Sequence, residues 1–264
     1  MAPFSNRIRD GRYTFDGERH QLQPVLAGQE ELVFHGFLRV LDCEIVDTEV
    51  TDTSARVRLA TKAIRPGVYA GYPFAIDLEV EYTVSQDELT LEIVGRNVGD
   101  RVAPYSCGWH PYFRLGRRGV DPLELHVPAR TRINTDEALI PLDGGRAFVP
   151  VTEEDRPSYE KPRPVADAVL DVAFADLVAD DDGLVRTRLR DPDSGRSLTV
   201  WQPGGLMHVF TGDTLNREPR SSIALEPVEL MTNAFARPDC ADALALSPGA
   251  ERRFRCGVLA ATSD

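Results

Sequence analysis

With 264 residues, 42% of them hydrophobic, the chain can bury a substantial core, and its length fits one large β domain or two ordinary ones. The formal net charge of -12 argues against nucleic acid and anionic membranes, since both call for a basic face; it suits a soluble protein acting on a neutral small molecule. No apolar run approaches the roughly 18 residues of a membrane span. Met1 to Arg7 lack the apolar core of a signal peptide, so a cytoplasmic location is expected. Cys43, Cys107, Cys240 and Cys256 form no Cys-x-x-Cys pair and no zinc-spaced cluster with histidine. Free buried thiols are expected, and no metal.

From Asn6 to Gln21 the chain reads as short strands and turns, with Asp-Gly signals flanking Tyr13 and Phe15. A loop with Pro24 and Gly28 leads to Leu32-Val33-Phe34-His35-Gly36-Phe37-Leu38-Arg39, where glycine after histidine suggests a close backbone approach. Residues 55 to 95 carry the clearest pattern. Val57 and Leu59, then Ile76, Leu78, Val80, Tyr82 and Val84, then Leu89, Leu91 and Ile93 alternate with polar residues. Period two over this length means antiparallel strands with one wet face.

The next stretch, Gly108-Trp109-His110-Pro111-Tyr112-Phe113-Arg114-Leu115, sets an imidazole among aromatic groups. Beyond it Leu123, Leu125 and Val127 form a short strand, and Asp143-Gly144-Gly145 a turn. Pro157, Pro162 and Pro164 read as a loop over one end of the sheet. Asp180-Asp181-Asp182-Gly183 lacks the spacing of a calcium loop and reads as a solvated turn. Residues 185–189 and 198–201 make a hairpin; 206–210 and 223–227 are strands, and 252–259 should close the sheet. No helical period of useful length is present. Many strands around one core point to an all-β fold, a large antiparallel β-sandwich with few short helices, as a single domain over residues 1–264.

Two residues stand out for chemistry. His110 either packs in the core or faces a pocket. Glu226 leaves the apolar run Ile223-Ala224-Leu225 before Pro227, and is either paired at the rim or held in a pocket.

His110-Pro111-Tyr112-Phe113 resembles the His-x-Tyr-Phe motif of the aldose 1-epimerase (galactose mutarotase) family. Leu225-Glu226-Pro227, Asn6-Arg7-Ile8, His35-Gly36, Asp171 with Phe174, and the strand Leu206 to Gly212 are similar to further blocks of that family, in the same order. The resemblance implies a many-stranded antiparallel supersandwich of the galactose mutarotase type. It implies His110 as general acid on the ring oxygen and Glu226 as general base on the anomeric hydroxyl. Arg7, His35, Asp171 and His208 would bind sugar hydroxyls, and no cofactor is implied. Such chemistry suits a carboxylate and an imidazole, whose proton affinities are tunable toward neutrality, and apolar surroundings should raise Glu226. Tyr112 and Trp201 are suited to pack on the apolar face of a sugar ring.

Departures from the family pattern carry expectations of their own. Relatives usually carry several strands before the Asn-Arg-Ile block, where this sequence has five residues. An open sheet edge there would invite pairing, which points to a homodimer. His35-Gly36-Phe37, followed by Leu38-Arg39, leans toward hexose-6-phosphate 1-epimerases, where arginines bind phosphate; Arg7 and Arg39 are the candidates. The third reading is a sugar-binding domain without catalysis.

Overall fold

The computed structural model describes residues 1–26, 33–152 and 158–262. Two large antiparallel sheets dominate. The larger runs, in spatial order, Arg163–Pro164, Glu124–His126, Val185–Arg190, Arg196–Gln202, Glu251–Thr262, Glu88–Asn97, Ile76–Ser85, Ser54–Ile64 and Glu44–Val50. The smaller runs Phe148–Pro150, Ala129–Ile133, Asp171–Leu177, Leu206–Phe210, Ile223–Val228 and Tyr112–Phe113. Among the described residues the α-helical element is the short Ala241–Leu244.

Alternation along the strands builds the interior. Met207, Val209, Ile223, Leu225 and Phe174 of the smaller sheet share one buried cluster with Leu125, Leu189, Leu198 and Val200 of the larger. Because side chains alternate across a strand, His208, Phe210, Ala224, Glu226 and Asp171 are turned to the opposite face. A second cluster holds that other side together, and it is rich in rings. Phe37 stacks on Tyr69 at 4.0 Å, Phe4 meets Phe37 edge-on at 5.7 Å, and Phe235 lies against Phe4 and Tyr13. This cluster anchors the segments that carry Arg7 and His35.

The alternating run of residues 55–95 folds as the expected three strands. The 252–259 pattern forms a strand too, but in the middle of the larger sheet, between Arg196–Gln202 and Glu88–Asn97, not at a closing edge. Its arginines explain the weak hydropathic signal. Arg253 pairs with Glu92 and Glu251 on a polar sheet face. Glu44–Val50 carries no clean alternation because the register shifts between Ile45 and Asp47. Of the proline-rich loop, Arg163–Pro164 is a two-residue edge strand on Glu124 and Leu125, a place where proline is tolerated. Asp143-Gly144-Gly145 leads into a 3-10 turn over Gly144–Ala147. Gly28, Leu32 and Pro157 lie outside the described residues.

All four cysteines are free; Cys107, Cys240 and Cys256 are buried, while Cys43 is partly exposed. Asp180 and Asp182 of the acidic turn hold Arg186.

Phe37 is 1% exposed and sits two residues from His35. Phe37→Ala should cost about 3–5 kcal/mol. A thermal unfolding midpoint equal to that of the parent chain would show that the ring cluster is not what secures this segment.

Candidate active site

Strand register assembles the first part of the site. His208 lies directly opposite Glu226 on the neighbouring strand, Asp171 lies opposite Phe210, and Ala224 opposite Tyr112. All project from the face turned away from the inter-sheet core. The His208 Nε2–H donates to Asp171 Oδ1 at 2.7 Å, since an ionised carboxylate only accepts. The other Asp171 oxygen meets the Arg7 guanidinium at 3.3 Å.

His110 arrives from a segment packed against the Glu226 strand. Gly108 bridges to Val228, and the Trp109 N–H donates to the Pro227 carbonyl at 2.9 Å. A Cβ on Gly108 would lie 2.7 Å from a Val228 methyl and 2.9 Å from the Pro227 carbonyl oxygen, so glycine is what permits this approach. As a result His110 Nε2 stands 3.2 Å from Glu226 Oε1. The His110 ring stacks on Tyr112 at 5.0 Å and meets His35 edge-on at 5.0 Å.

His35 is held by a local backbone arrangement. Its φ is +62° and that of Gly36 is +65°. A Cβ on Gly36 would come within 2.2 Å of the Ala2 carbonyl oxygen, so the close approach expected of the His-Gly pair is to the Ala2 backbone. The His35 N–H donates to the Asn6 carbonyl at 2.9 Å, which ties His35 to the Arg7 segment.

The electrostatics follow from burial. Glu226 is 2% exposed, and that desolvation raises its carboxyl to about 7, with the charges of His208 and Arg7 opposing the rise. Burial lowers His110 to about 4 and His35 to about 2. For His208, burial disfavours the cation, but the bond to Asp171 and the charge of Glu226 outweigh it and raise its pKa. Burial works the other way on Asp171, and His208 and Arg7 still hold its carboxyl below the ordinary value. Glu226 Oε2, His35 Nδ1 and His110 Nδ1 are buried without a hydrogen-bond partner. Arg7, Asp171, His110 and Tyr112 keep partial exposure and border the open side. No grouping of three His, Cys, Asp or Glu side chains suited to a metal ion occurs among the described residues.

The sequence model of the family described as aldose 1-epimerase matches residues 1–258. The chain belongs to this family. Among its relatives is the uncharacterized protein YihR of Escherichia coli (strain K12), 29% identical over 236 residues, covering 89% of this chain and 70% of the relative. The galactose mutarotase of Rattus norvegicus is 28% identical over 140 residues, 52% of this chain and 38% of that protein. Among solved structures, a galactose 1-epimerase from Lactobacillus acidophilus superposes with a TM-score of 0.80 at 18% identity, covering 100% of this chain and 79% of that one. A putative aldose 1-epimerase from Escherichia coli K12 gives 0.79 at 21% identity, covering 99% and 82%. At such identities the superpositions establish the galactose mutarotase-like fold.

In this member of the aldose 1-epimerase family the sequence points to Arg7, His35, His110, Tyr112, Asp171, His208 and Glu226 as candidate site residues. All meet in one cluster. Trp201 does not join them. It lies in the larger sheet, one position from the core-facing Val200 and on the opposite face, with its Nε1–H donating to Glu88. Its ring is closed off by Gly257, where a Cβ would come 2.6 Å from the indole.

Three further residues support the cluster; the motifs contain Asn6 and Phe210 without giving them a role, and Asn233 lies outside the motifs. Asn6 Oδ1 accepts from both the Arg7 backbone N–H and its guanidinium. Asn233 donates its N–H to the Arg7 carbonyl and accepts from the Arg9 N–H, at a φ of +64°. Phe210 meets Tyr112 edge-on at 6.4 Å. Asparagine's tolerance of left-handed backbone is a signal that could have flagged Asn233. A cavity of about 870 Å³ between Arg12–Gln21 and residues 235–244 contains none of the cluster, and its Arg237 is already held by Asp239 and the Leu142 carbonyl.

A carboxyl whose pKa rises on folding binds more protons folded than unfolded, so stability falls as pH increases from 4.5 to about 7. Glu226→Gln removes that loss. Relative to the parent, the variant should gain on the order of 3 kcal/mol between pH 4.5 and pH 8. Denaturant unfolding at both pH values measures it; an unchanged difference would mean the folded carboxyl titrates normally.

Proposed function

We propose that this protein is an aldose 1-epimerase that interconverts the α and β anomers of a free hexose, with Glu226 and His110 as the proton-transferring pair. The observation that supports this most directly is the 3.2 Å contact between a buried carboxyl and a partly exposed imidazole on a face that also carries Arg7, Asp171 and His208.

The chemistry is a balanced proton exchange. The Glu226 carboxylate takes the C1 hydroxyl proton while the His110 imidazolium protonates the ring oxygen. The bond from C1 to the ring oxygen breaks and C1 becomes an aldehyde. Rotation about C1–C2 turns the other face of the carbonyl toward the C5 hydroxyl. His110 then accepts that hydroxyl's proton, Glu226 returns its own to the carbonyl oxygen, and the ring closes as the other anomer. Both groups end as they began, and each step is a proton transfer, so this route calls for no cofactor. Burial gives both groups a preference for their neutral forms, so with Glu226 at about 7 and His110 at about 4 the shared proton rests on Glu226, and the carboxylate–imidazolium arrangement that starts the step is the minor form of the pair. Arg7, His35, Asp171 and His208 supply polar contacts for sugar hydroxyls. The 43% exposed Tyr112 ring offers a surface for the apolar side of the hexose.

A free hexose is favoured over a 6-phosphate by the state of the arginines. Arg7 is already paired with Asp171 and Asn6, and the Arg39 guanidinium lies 4.5 Å over the Phe34 ring. A phosphate calls for two or more convergent, uncommitted cations.

Exchange NMR on α-glucose, α-galactose and glucose 6-phosphate tests the proposal. Acceleration of a free hexose is expected, with Glu226→Gln slower by roughly 10²–10⁴-fold. Acceleration of the 6-phosphate alone would replace the free hexose as substrate. Sugar binding without acceleration would make the chain a binding module. The pH dependence is a second check. The pair carries one proton between about 4 and about 7, so kcat/KM should follow a bell with limbs near those values. A rate constant flat from about pH 5 to 9 contradicts the pair.

A further inference from the structure

We propose that Asp171 and His208 act as a positioning pair for Glu226: Asp171 holds the His208 ring as a cation, and that cation keeps the buried Glu226 carboxyl able to ionise. This rests on the reading of Glu226 as the base, and it assigns His208 a task apart from touching sugar.

Geometry carries the argument. Glu226 is 2% exposed, one of its oxygens touches His110, and the other is buried without a hydrogen-bond partner. An anion so placed needs a nearby positive charge, because burial of an unsupported carboxylate is prohibitive. His208 is its direct cross-strand neighbour on the same sheet face, and such neighbours have Cβ atoms about 4.5–5.5 Å apart. His208 is itself only 6% exposed, and its Nε2–H is committed to Asp171 at 2.7 Å.

The charged and titratable groups facing His208 come from four elements. Arg7 comes from the N-terminal segment, Asp171 from the Asp171–Leu177 strand, Glu226 from the Ile223–Val228 strand and His110 from the segment before Tyr112–Phe113. Arg7 and Asp171 offset one another through their own contact. The positive charges left beside Glu226 are that of His208, which acts on it most, and that of the buried amino group of Met1, whose own proton affinity burial lowers. The raised proton affinity of His208 and the lowered one of Asp171 are the signs this arrangement requires.

His208→Gln retains a polar side chain and removes the charge. Glu226 then becomes harder to ionise. The alkaline limb of kcat/KM should move up by about one pH unit, and its maximum should fall about tenfold, chiefly through kcat. Two measurements on resting protein need no turnover. With ¹⁵N-labelled histidine, the parent should show His208 doubly protonated at neutral pH, and Asp171→Asn should show it neutral. With ¹³C-labelled glutamate, the Glu226 carboxyl should titrate higher in His208→Gln than in the parent. A neutral His208 in the parent, an unmoved Glu226 titration, or a rate loss with the pH limb unmoved would each overturn the proposal. If His208→Gln does not fold, the ¹⁵N spectra of the parent and Asp171→Asn decide it. If no sugar is turned over, the aldose 1-epimerase reading fails, while the two titrations still judge the coupling.

Discussion

A carboxyl group that is 2% exposed and touches a single imidazole can exist inside a protein in two ways. It can keep its proton and stay neutral, or it can ionise beside positive charge. At Glu226 the two are close in energy, because desolvation pushes its pKa to about 7 while His208 and Arg7 oppose the push. Everything else in the site serves that balance. The imidazole of His110 shares the contact, Asp171 anchors both cations, and the sheet behind them excludes water.

The scaffold makes this arrangement rigid through two unrelated devices. One is strand alternation: the residues that fill the inter-sheet core, Met207, Val209 and Leu225, fix by parity which way His208 and Glu226 point. The other is close backbone packing, where Gly108 and Gly36 admit neighbours that any side chain would exclude. The ring cluster around Phe37 and Phe235 then pins the segments that bring Arg7 and His35 to the sheet. A one-residue slip in the Leu206–Phe210 strand would turn His208 into the core and Met207 toward the site, so register and chemistry are the same constraint.

Much of this was legible in the residues. The long alternating runs of 55–95 announced their strands because each has one wet face. The Glu44–Val50 strand did not, since its bulge breaks the period, and Glu251–Thr262 was placed at an edge because its outward arginines weaken the pattern. The ordered motifs around His110 and Glu226 named seven side chains that do converge. Trp201 was misassigned because an aromatic residue near a strand end looks the same whichever sheet owns it. The parts played by Asn6, which the sequence offers only as one letter of a motif, and by Asn233 are not legible there because both work through Arg7's backbone and guanidinium.

The sequence alone determined the β character of the chain and the chemical types available at the site, because periodicity and residue identity are local properties. Only the tertiary structure decided that His110 and Glu226 touch, that His208 faces Glu226, and that Asp171 joins His208 to Arg7. Those are contacts between residues 18 to 164 positions apart. Sheet register and burial set them, and with burial the proton affinities, none of which any single stretch of chain encodes.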